Sequence, residues 1–113
     1  MSLTQAVKEI KTEFPKSDIV FCTVIPRKGK GQHIVKYNEI TNSVNALMKQ
    51  ICVKENATCI DFYELFSKCG NVVKSLYDIS DATGIHISVE GCSKMRYEFL
   101  DFVLRNNRVD QLL

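Results

Sequence analysis

Two short apolar runs, separated by a long amphipathic stretch, constrain the fold of this chain more than any other feature. The first run extends from Asp18 to Pro26, is rich in β-branched residues and is nearly unbroken by polar ones. The second run, Thr58 to Phe62, is shorter and of the same type. Apolar runs without alternation are typical of strands that are covered on both faces, as parallel strands are. We therefore expect two parallel strands joined by a helical crossover.

Three segments have the apolar spacing of amphipathic helices. A capping box at Ser2 and Gln5 begins the first helix, Pro15 ends it, and Ser88 caps the last helix, which closes at Asn106–Asn107. The apolar positions are Leu3, Ala6, Val7, Ile10 and Phe14 in the first helix, Val35, Ile40, Val44, Leu47, Met48 and Ile51 (with Tyr37 beside them) in the second, and Cys92, Met95, Phe99, Phe102 and Val103 in the last.

The segment from Tyr63 to Ile85, between the second strand and the last helix, is predicted to be an irregular excursion. Tyr63, Leu65, Phe66, Leu76 and Tyr77 are expected to pin it to the body of the protein. A short helix is expected around Glu64 to Cys69, ended by Gly70-Asn71.

The resulting order is helix, strand, helix, strand, long loop and helix. It corresponds to a βαβ unit with a helix at each end, and its crossover should be right-handed. A length of 113 residues suits a single domain. We place that domain at residues 1–105 and a tail at 106–113.

Composition and charge exclude several classes of protein. The net charge of +2 is too small to indicate nucleic-acid binding by itself, and no apolar run is long enough for a signal peptide or a membrane span, so a cytoplasmic location is expected. The five cysteines are an odd number without a Cys-x-x-Cys pair, which predicts free and mostly buried thiols. Neither a metal site nor a cofactor is expected.

The stretch from Asp78 to Gly91 contains the candidate for acid–base chemistry. It places His86 in a loop that ends where the last helix begins, with Asp78 and Asp81 just upstream and Gly84 permitting a tight bend. A histidine held beside a carboxylate suits general base catalysis.

A basic loop, residues 27–33, follows the first strand. Arg27, Lys28 and Lys30 place three positive charges within four residues and are candidates for contact with an anion or RNA. The alternative interpretation is a solvated, mobile connection. Because ligands of open parallel sheets gather beyond the carboxyl ends of the strands, we expect this loop and the His86 segment to share one rim.

Three sequence features carry a resemblance to a known family. They are the strand segment Phe14 to Arg27 with its exit through Pro-Arg, the pair Tyr37-Asn38 that opens the second helix, and the final block of Leu76-Tyr77 with Gly84-Ile-His-Ile-Ser-Val-Glu-Gly91. Over about residues 1 to 104 the chain resembles the C-terminal half of an SGNH hydrolase, an esterase family also called GDSL-like. The resemblance implies a three-layer α/β/α fold with a flavodoxin-like parallel sheet, truncated here to the βαβ unit and its flanking helices.

The resemblance also implies roles for particular residues. In this family a serine attacks an ester, and a histidine that matches His86 removes the proton of that serine. The family's acid position falls on Thr83, which is not a carboxylate, so Asp81 is the nearest substitute and Asp78 lies further away. The Gly-Asp-Ser nucleophile block and the glycine and asparagine blocks that hold the oxyanion have no counterpart in the sequence. We therefore expect little or no esterase activity from this chain alone.

Three functional hypotheses follow from these observations. The chain is a truncated or degenerate hydrolase domain that acts on an ester only when an N-terminal half is supplied elsewhere. Alternatively, it is a non-catalytic binding or structural module that uses loop 27–33 to contact anions or RNA. In the third hypothesis it is a homo-oligomer that associates through the open edge of its sheet.

Overall fold

A computed structural model describes residues 2–105 of the chain. Its elements in order are α1 (Leu3–Glu13), β1 (Val20–Cys22), α2 (Gln32–Lys54), β2 (Thr58–Ile60), α3 (Phe62–Leu65), β3 (Ser67–Lys68), β4 (Asn71–Val72), a 3₁₀ helix (Lys74–Leu76) and α4 (Val89–Arg105). The predicted helix end at Asn106–Asn107 and the predicted tail 106–113 lie outside the described residues.

β1 and β2 form a parallel pair in which Val20, Phe21 and Cys22 lie opposite Thr58, Cys59 and Ile60. α2 connects the two strands, so the predicted βαβ unit is confirmed and the fold is mixed α/β. Both strands are only three residues long, and β1 is not covered on both faces as the apolar run predicted, since Cys22 is exposed. Among the described residues β2 is the only strand that pairs with β1, which leaves the other edge of β1 open.

Beyond β1 the chain stays close to α2 through side-chain amides. Asn45 accepts a hydrogen bond from the Val24 amide (2.9 Å) and donates to the Val24 carbonyl (2.8 Å). Asn38 makes the same pair of bonds with Arg27, at 2.8 and 3.0 Å. Seven residues of helix and three residues of extended chain both advance about 10 Å, so the two asparagines match the two backbone positions.

The prediction of the buried face of α2 is largely wrong, and these asparagines explain why. The buried residues of α2 are Ile34, Thr41, Asn45, Ile51 and Cys52, whereas the predicted positions Val35, Ile40, Val44 and Leu47 are exposed. The face that packs on the body is partly polar because it makes hydrogen bonds to an extended backbone. Hydrophobic periodicity cannot predict such a face.

Two helix starts are confirmed by their caps. The Ser2 hydroxyl accepts from the Gln5 amide at 3.1 Å, and the Ser88 hydroxyl accepts from the Gly91 amide at 3.1 Å. The short helix begins earlier than predicted, at Phe62, because the Asp61 carboxylate caps it by accepting from the Glu64 amide.

The predicted end of that short helix is also wrong, because α3 stops at Leu65 and residues 67–72 form a small hairpin. Cys69 and Gly70 make its turn, both with positive φ (53° and 79°). Gly70 therefore serves the hairpin and does not end a helix.

The core beneath the irregular segment consists of Phe66, Leu76 and Tyr77, all buried. The rings of Phe66 and Tyr77 meet edge to face, with their centroids 5.6 Å apart, and the Tyr77 hydroxyl donates to the Pro26 carbonyl. Burial raises the pKa of Tyr77, so the hydroxyl stays a neutral donor. These contacts confirm that Phe66, Leu76 and Tyr77 pin the excursion to the body.

The cysteines are less buried than predicted. Cys52 is buried and Cys59 is half-buried, where burial raises the Cys59 pKa to about 11, but Cys22, Cys69 and Cys92 are exposed. No group of three metal-binding side chains occurs within residues 2–105. None of the helices in that range has the length and apolarity needed to cross a membrane.

The Asn45 pairing can be tested by replacing Asn45 with alanine. The substitution removes two hydrogen bonds and leaves the Val24 amide and carbonyl without their partner, so we expect the free energy of unfolding to fall by about 1.5–3 kcal/mol. Urea unfolding measures the change. Asn42→Ala, on the exposed side of the same helix, should stay within about 0.5 kcal/mol of wild type. Equal stabilities of the two variants would contradict the role given to Asn45.

Candidate active site

His86 lies in a loop whose two ends are tied together. The Ser88 amide donates to the Leu76 carbonyl at 2.9 Å, and the Asp78 amide donates to the His86 carbonyl at 3.1 Å. A single antiparallel bridge between Tyr77 and Ile87 lies between these bonds. We call the segment they close, residues 78–86, the histidine loop. Since Leu76 and Tyr77 are core residues, the loop leaves from a fixed base.

The Asp81 carboxylate organises the backbone of the histidine loop. Its Oδ1 accepts from the amide and the hydroxyl of Thr83, at 3.0 and 2.6 Å. Its Oδ2 accepts from the amides of Ile85 (3.2 Å) and His86 (2.9 Å). A side chain that accepts from amides a few residues ahead holds the intervening backbone in a turn.

The same carboxylate contacts the imidazole of His86. Nδ1 of His86 lies 2.8 Å from Oδ2 of Asp81. Hydrogen bonds from the Thr83 hydroxyl and then from the His86 amide hold the pKa of Asp81 well below its usual range, so the carboxylate is ionised at neutral pH. An ionised carboxylate only accepts hydrogen bonds, and in a neutral imidazole only one nitrogen carries a proton. Nδ1 is therefore the protonated nitrogen, and Nε2 keeps its lone pair.

The side chains of Asp81 and His86 differ strongly in their exposure to solvent. The side chain of Asp81 is 13% exposed, whereas that of His86 is 74% exposed. The loop thus shields the orienting carboxylate and presents the ring to the surroundings. An oriented imidazole with a free Nε2 can accept a proton from a hydroxyl or a water molecule.

The other candidates from the sequence do not contact the ring. The Asp78 carboxylate accepts from the amide and hydroxyl of Ser80, and these bonds lower its pKa. Thr83 donates its hydroxyl proton to Asp81. Ser88 donates its hydroxyl proton to the Ser75 carbonyl at 2.8 Å while it caps α4. Asp81 and His86 are the predicted site residues that the structure brings together.

The basic loop meets the histidine loop, as expected from the shared rim. The Lys28 amide donates to the Gly84 carbonyl at 2.9 Å. Arg27 Nε donates to the Thr83 carbonyl at 2.5 Å, and Lys28 Nζ donates to the Asp78 carbonyl at 3.2 Å. Two of the three proposed anion-binding cations therefore hold the histidine loop in place.

The third cation differs from the first two. Lys30 is exposed, and no hydrogen bond to its side chain occurs among residues 2–105. Arg27 is further fixed by Tyr37, because its guanidinium lies 5.5 Å from the centre of the Tyr37 ring. Of the three, Lys30 is the cation left available to an external anion.

A polar cluster at the carboxyl ends of β1 and β2 was not predicted from the sequence. The buried Thr23 hydroxyl donates to the Asp61 carboxylate at 3.1 Å and accepts from the Tyr63 amide at 2.9 Å, and Lys49 pairs with the same carboxylate. Burial raises the pKa of Asp61, but hydrogen bonds from Lys49, the Glu64 amide and Thr23 together bring it below its usual value. An aspartate directly before a helix is a capping signal that could have revealed this cluster.

Comparison with models of protein families gave no match to this chain, and comparison with curated proteins gave none either.

At Gly84 the histidine loop packs tightly against the basic loop. Its φ is +72°, and a Cβ added there would lie 1.8 Å from the Lys28 carbonyl oxygen. Gly70 has a similar φ of +79° but open space around its Cβ position. An alanine at Gly70 therefore measures only the free-energy cost of the positive φ. We expect Gly70→Ala to lower the free energy of unfolding by about 1–2 kcal/mol. Gly84→Ala should lower it by about 3 kcal/mol or more, because the backbone of Lys28 must also move. Equal costs in urea unfolding would contradict the close packing of the loops.

Asp81→Asn tests the carboxylate through the pH dependence of stability. A carboxyl group whose pKa is lowered by folding stabilises the protein above its unfolded pKa of about 4, and this contribution is lost as the pH falls towards the lowered value. We expect the variant to be less stable than wild type at pH 7, and the difference to shrink as the pH drops below about 4. A difference that is the same at both pH values would contradict this role. Asp101→Asn, at a partly exposed carboxylate that pairs with Arg105 one turn along α4, should stay within about 0.5 kcal/mol of wild type at pH 7.

Proposed function

We propose that this chain supplies the histidine-bearing half of an ester-cleaving site of the SGNH hydrolase type, with His86 as general base and Asp81 as the acid that orients it. The observation that carries the proposal is the 2.8 Å contact between His86 Nδ1 and Asp81 Oδ2, with the ring exposed. In serine hydrolases an aspartate fixes the histidine tautomer in this way and stabilises the imidazolium that forms when the nucleophile loses its proton.

The nucleophile is proposed to come from outside residues 2–105. Within that range no serine hydroxyl is hydrogen-bonded to His86, and the serine nearest in sequence, Ser88, is committed to its cap. The oxyanion donors are assigned to the same external segment. Both groups contribute several kcal/mol to barrier lowering in complete sites, about 3–4 kcal/mol for a single oxyanion donor, so the chain alone should be a feeble catalyst.

The surface beside β1 supports the involvement of a second segment. The outer edge of β1 is open within the described residues, and Val24 beyond it is 47% exposed. Ile40, Val44 and Leu47 of α2 are also exposed. Further strands, as a three-layer α/β/α fold requires, would pair with the open edge of β1.

The two alternative functions gain less support. Arg27, Lys28 and Lys30 are the candidates for contact with RNA or an anion, but Arg27 and Lys28 already donate hydrogen bonds to carbonyls of the histidine loop. Association of two chains through the open edge of β1 is supported only by the absence of a second partner strand among the described residues. It would give twice the mass of one chain in sedimentation.

Hydrolysis of p-nitrophenyl acetate tests the role of His86. A short acyl probe is used because the cavity that adjoins the histidine loop, lined by Ile85, Tyr37 and Arg27, has only about 140 Å³ and His86 is absent from its described lining. We expect slow multiple-turnover hydrolysis above background, most of which is lost in His86→Ala. His33→Ala is the matched control, since His33 is the other histidine of the chain and is exposed, and it should keep the activity. Asp81→Asn should lower the His86-dependent part.

Two features of the assay make its outcome decisive. Rates are taken after the exposed thiols Cys22, Cys69 and Cys92 have been acylated, so that only turnover is counted. A fluorophosphonate that labels activated serines should leave the eight serines of the chain unlabelled. Equal hydrolysis by wild type and His86→Ala would contradict the general-base role. His86-dependent labelling of a serine in this chain would contradict the external nucleophile.

A further inference from the structure

A groove of about 800 Å³ lies between the loop after β1 and the start of α4. Its lining includes Lys28, Lys30, Lys74, Tyr77, Ile79 and Val89. We call it the lysine groove. His86 is absent from the described residues that line it, so the groove is separate from the proposed catalytic ring although both adjoin the histidine loop.

The apolar side chains of the lysine groove are unusually accessible. Ile79 is 95% exposed and Val89 is 86% exposed, and both lie on the same concavity above the buried Tyr77. Single exposed aliphatic residues need no explanation, but two that line one groove form a patch that an apolar ligand can cover. The volume lies in the range of small-molecule sites.

The polar side of the lysine groove is positively charged. Lys28, Lys30 and Lys74 also line an adjoining cavity of about 390 Å³, so these cations stand between the two spaces. Lys28 is held by the Asp78 carbonyl, whereas Lys30 and Lys74 are exposed and their ammonium groups have no hydrogen bond within the part of the chain that the structure describes. The Asp78 carboxylate is the one anionic side chain in the lining, and it is engaged by Ser80.

We propose that the lysine groove binds a long-chain alkyl carboxylate as a small-molecule ligand. Its alkyl chain lies against Ile79, Val89 and Tyr77, and its carboxylate lies beside Lys30 and Lys74. The apolar side chains bury the chain, and two ammonium groups without partners offset the single negative charge. Arginine is absent from the described lining, so the groove lacks the planar fork that favours bidentate recognition of phosphate.

Calorimetric titration of the full chain with dodecanoate, below its micelle-forming concentration and at low salt, tests the proposal. We expect saturable binding of one ligand per chain, weakened in about 0.5 M salt because exposed ion pairs are screened. Octanoate should bind at least about tenfold more weakly, since each buried methylene strengthens binding by up to about fourfold. Dodecyltrimethylammonium, which has the same chain and the opposite charge, should bind at least about tenfold more weakly as well.

Double variants distinguish the contribution of charge to dodecanoate affinity from that of apolar contact. Lys30→Gln with Lys74→Gln should weaken dodecanoate binding at least about tenfold, whereas Lys36→Gln with Lys54→Gln, at exposed lysines of α2, should leave it unchanged. Ile79→Ser with Val89→Ser should also weaken it, and neither change should affect folding because both side chains are exposed. His86→Ala should bind as wild type does, so this result is independent of the ester hydrolysis test.

Three results would overturn the proposal. They are the absence of saturable binding by wild type, equal affinity of wild type and the Lys30→Gln, Lys74→Gln double variant, and equal affinity for dodecanoate and dodecyltrimethylammonium. Correct folding of each variant is checked by its urea unfolding curve.

Discussion

Five hydrogen bonds converge on one carboxylate, that of Asp81, and the shape of the histidine loop depends on them. Four come from backbone and hydroxyl groups of the loop, and the fifth joins the carboxylate to the ring of His86. The donors that fold the loop also keep the carboxylate ionised, and an ionised carboxylate fixes which imidazole nitrogen carries the proton. Local folding and proton chemistry are therefore set by the same group.

The histidine loop is held against the body by the chain that leaves β1. Lys28 and Gly84 approach so closely that a side chain at Gly84 has no room. Arg27 binds the loop with its side chain, while its own backbone is fixed by Asn38 of α2. A contiguous set of contacts thus leads from the crossover helix through the strand exit to the site. Of the basic residues in this segment, Arg27 and Lys28 hold the histidine loop through hydrogen bonds.

Sequence patterns predicted those features that depend on local chemistry or on simple periodicity. The parallel pair and the caps at Ser2 and Ser88 are of this kind, and so is the position of His86 before α4. The buried face of α2 could not be predicted, because the half-buried Asn38 and the buried Asn45 pair with an extended backbone and do not pack with apolar side chains. Asp81 contacts the His86 ring because its own carboxylate holds the loop backbone in a turn. The spacing of the two residues in the sequence does not predict that turn.

The account depends most on the claim that Asp81 orients His86 with Nδ1 as the donor. A long-range proton–nitrogen correlation spectrum of the ¹⁵N-labelled protein, recorded at a pH where the ring is neutral, reports the tautomer directly. The expected result is a protonated Nδ1 and an unprotonated Nε2 for His86 in wild type, with this preference weakened in Asp81→Asn. A protonated Nε2 in wild type, or the same spectrum in both proteins, would contradict the account.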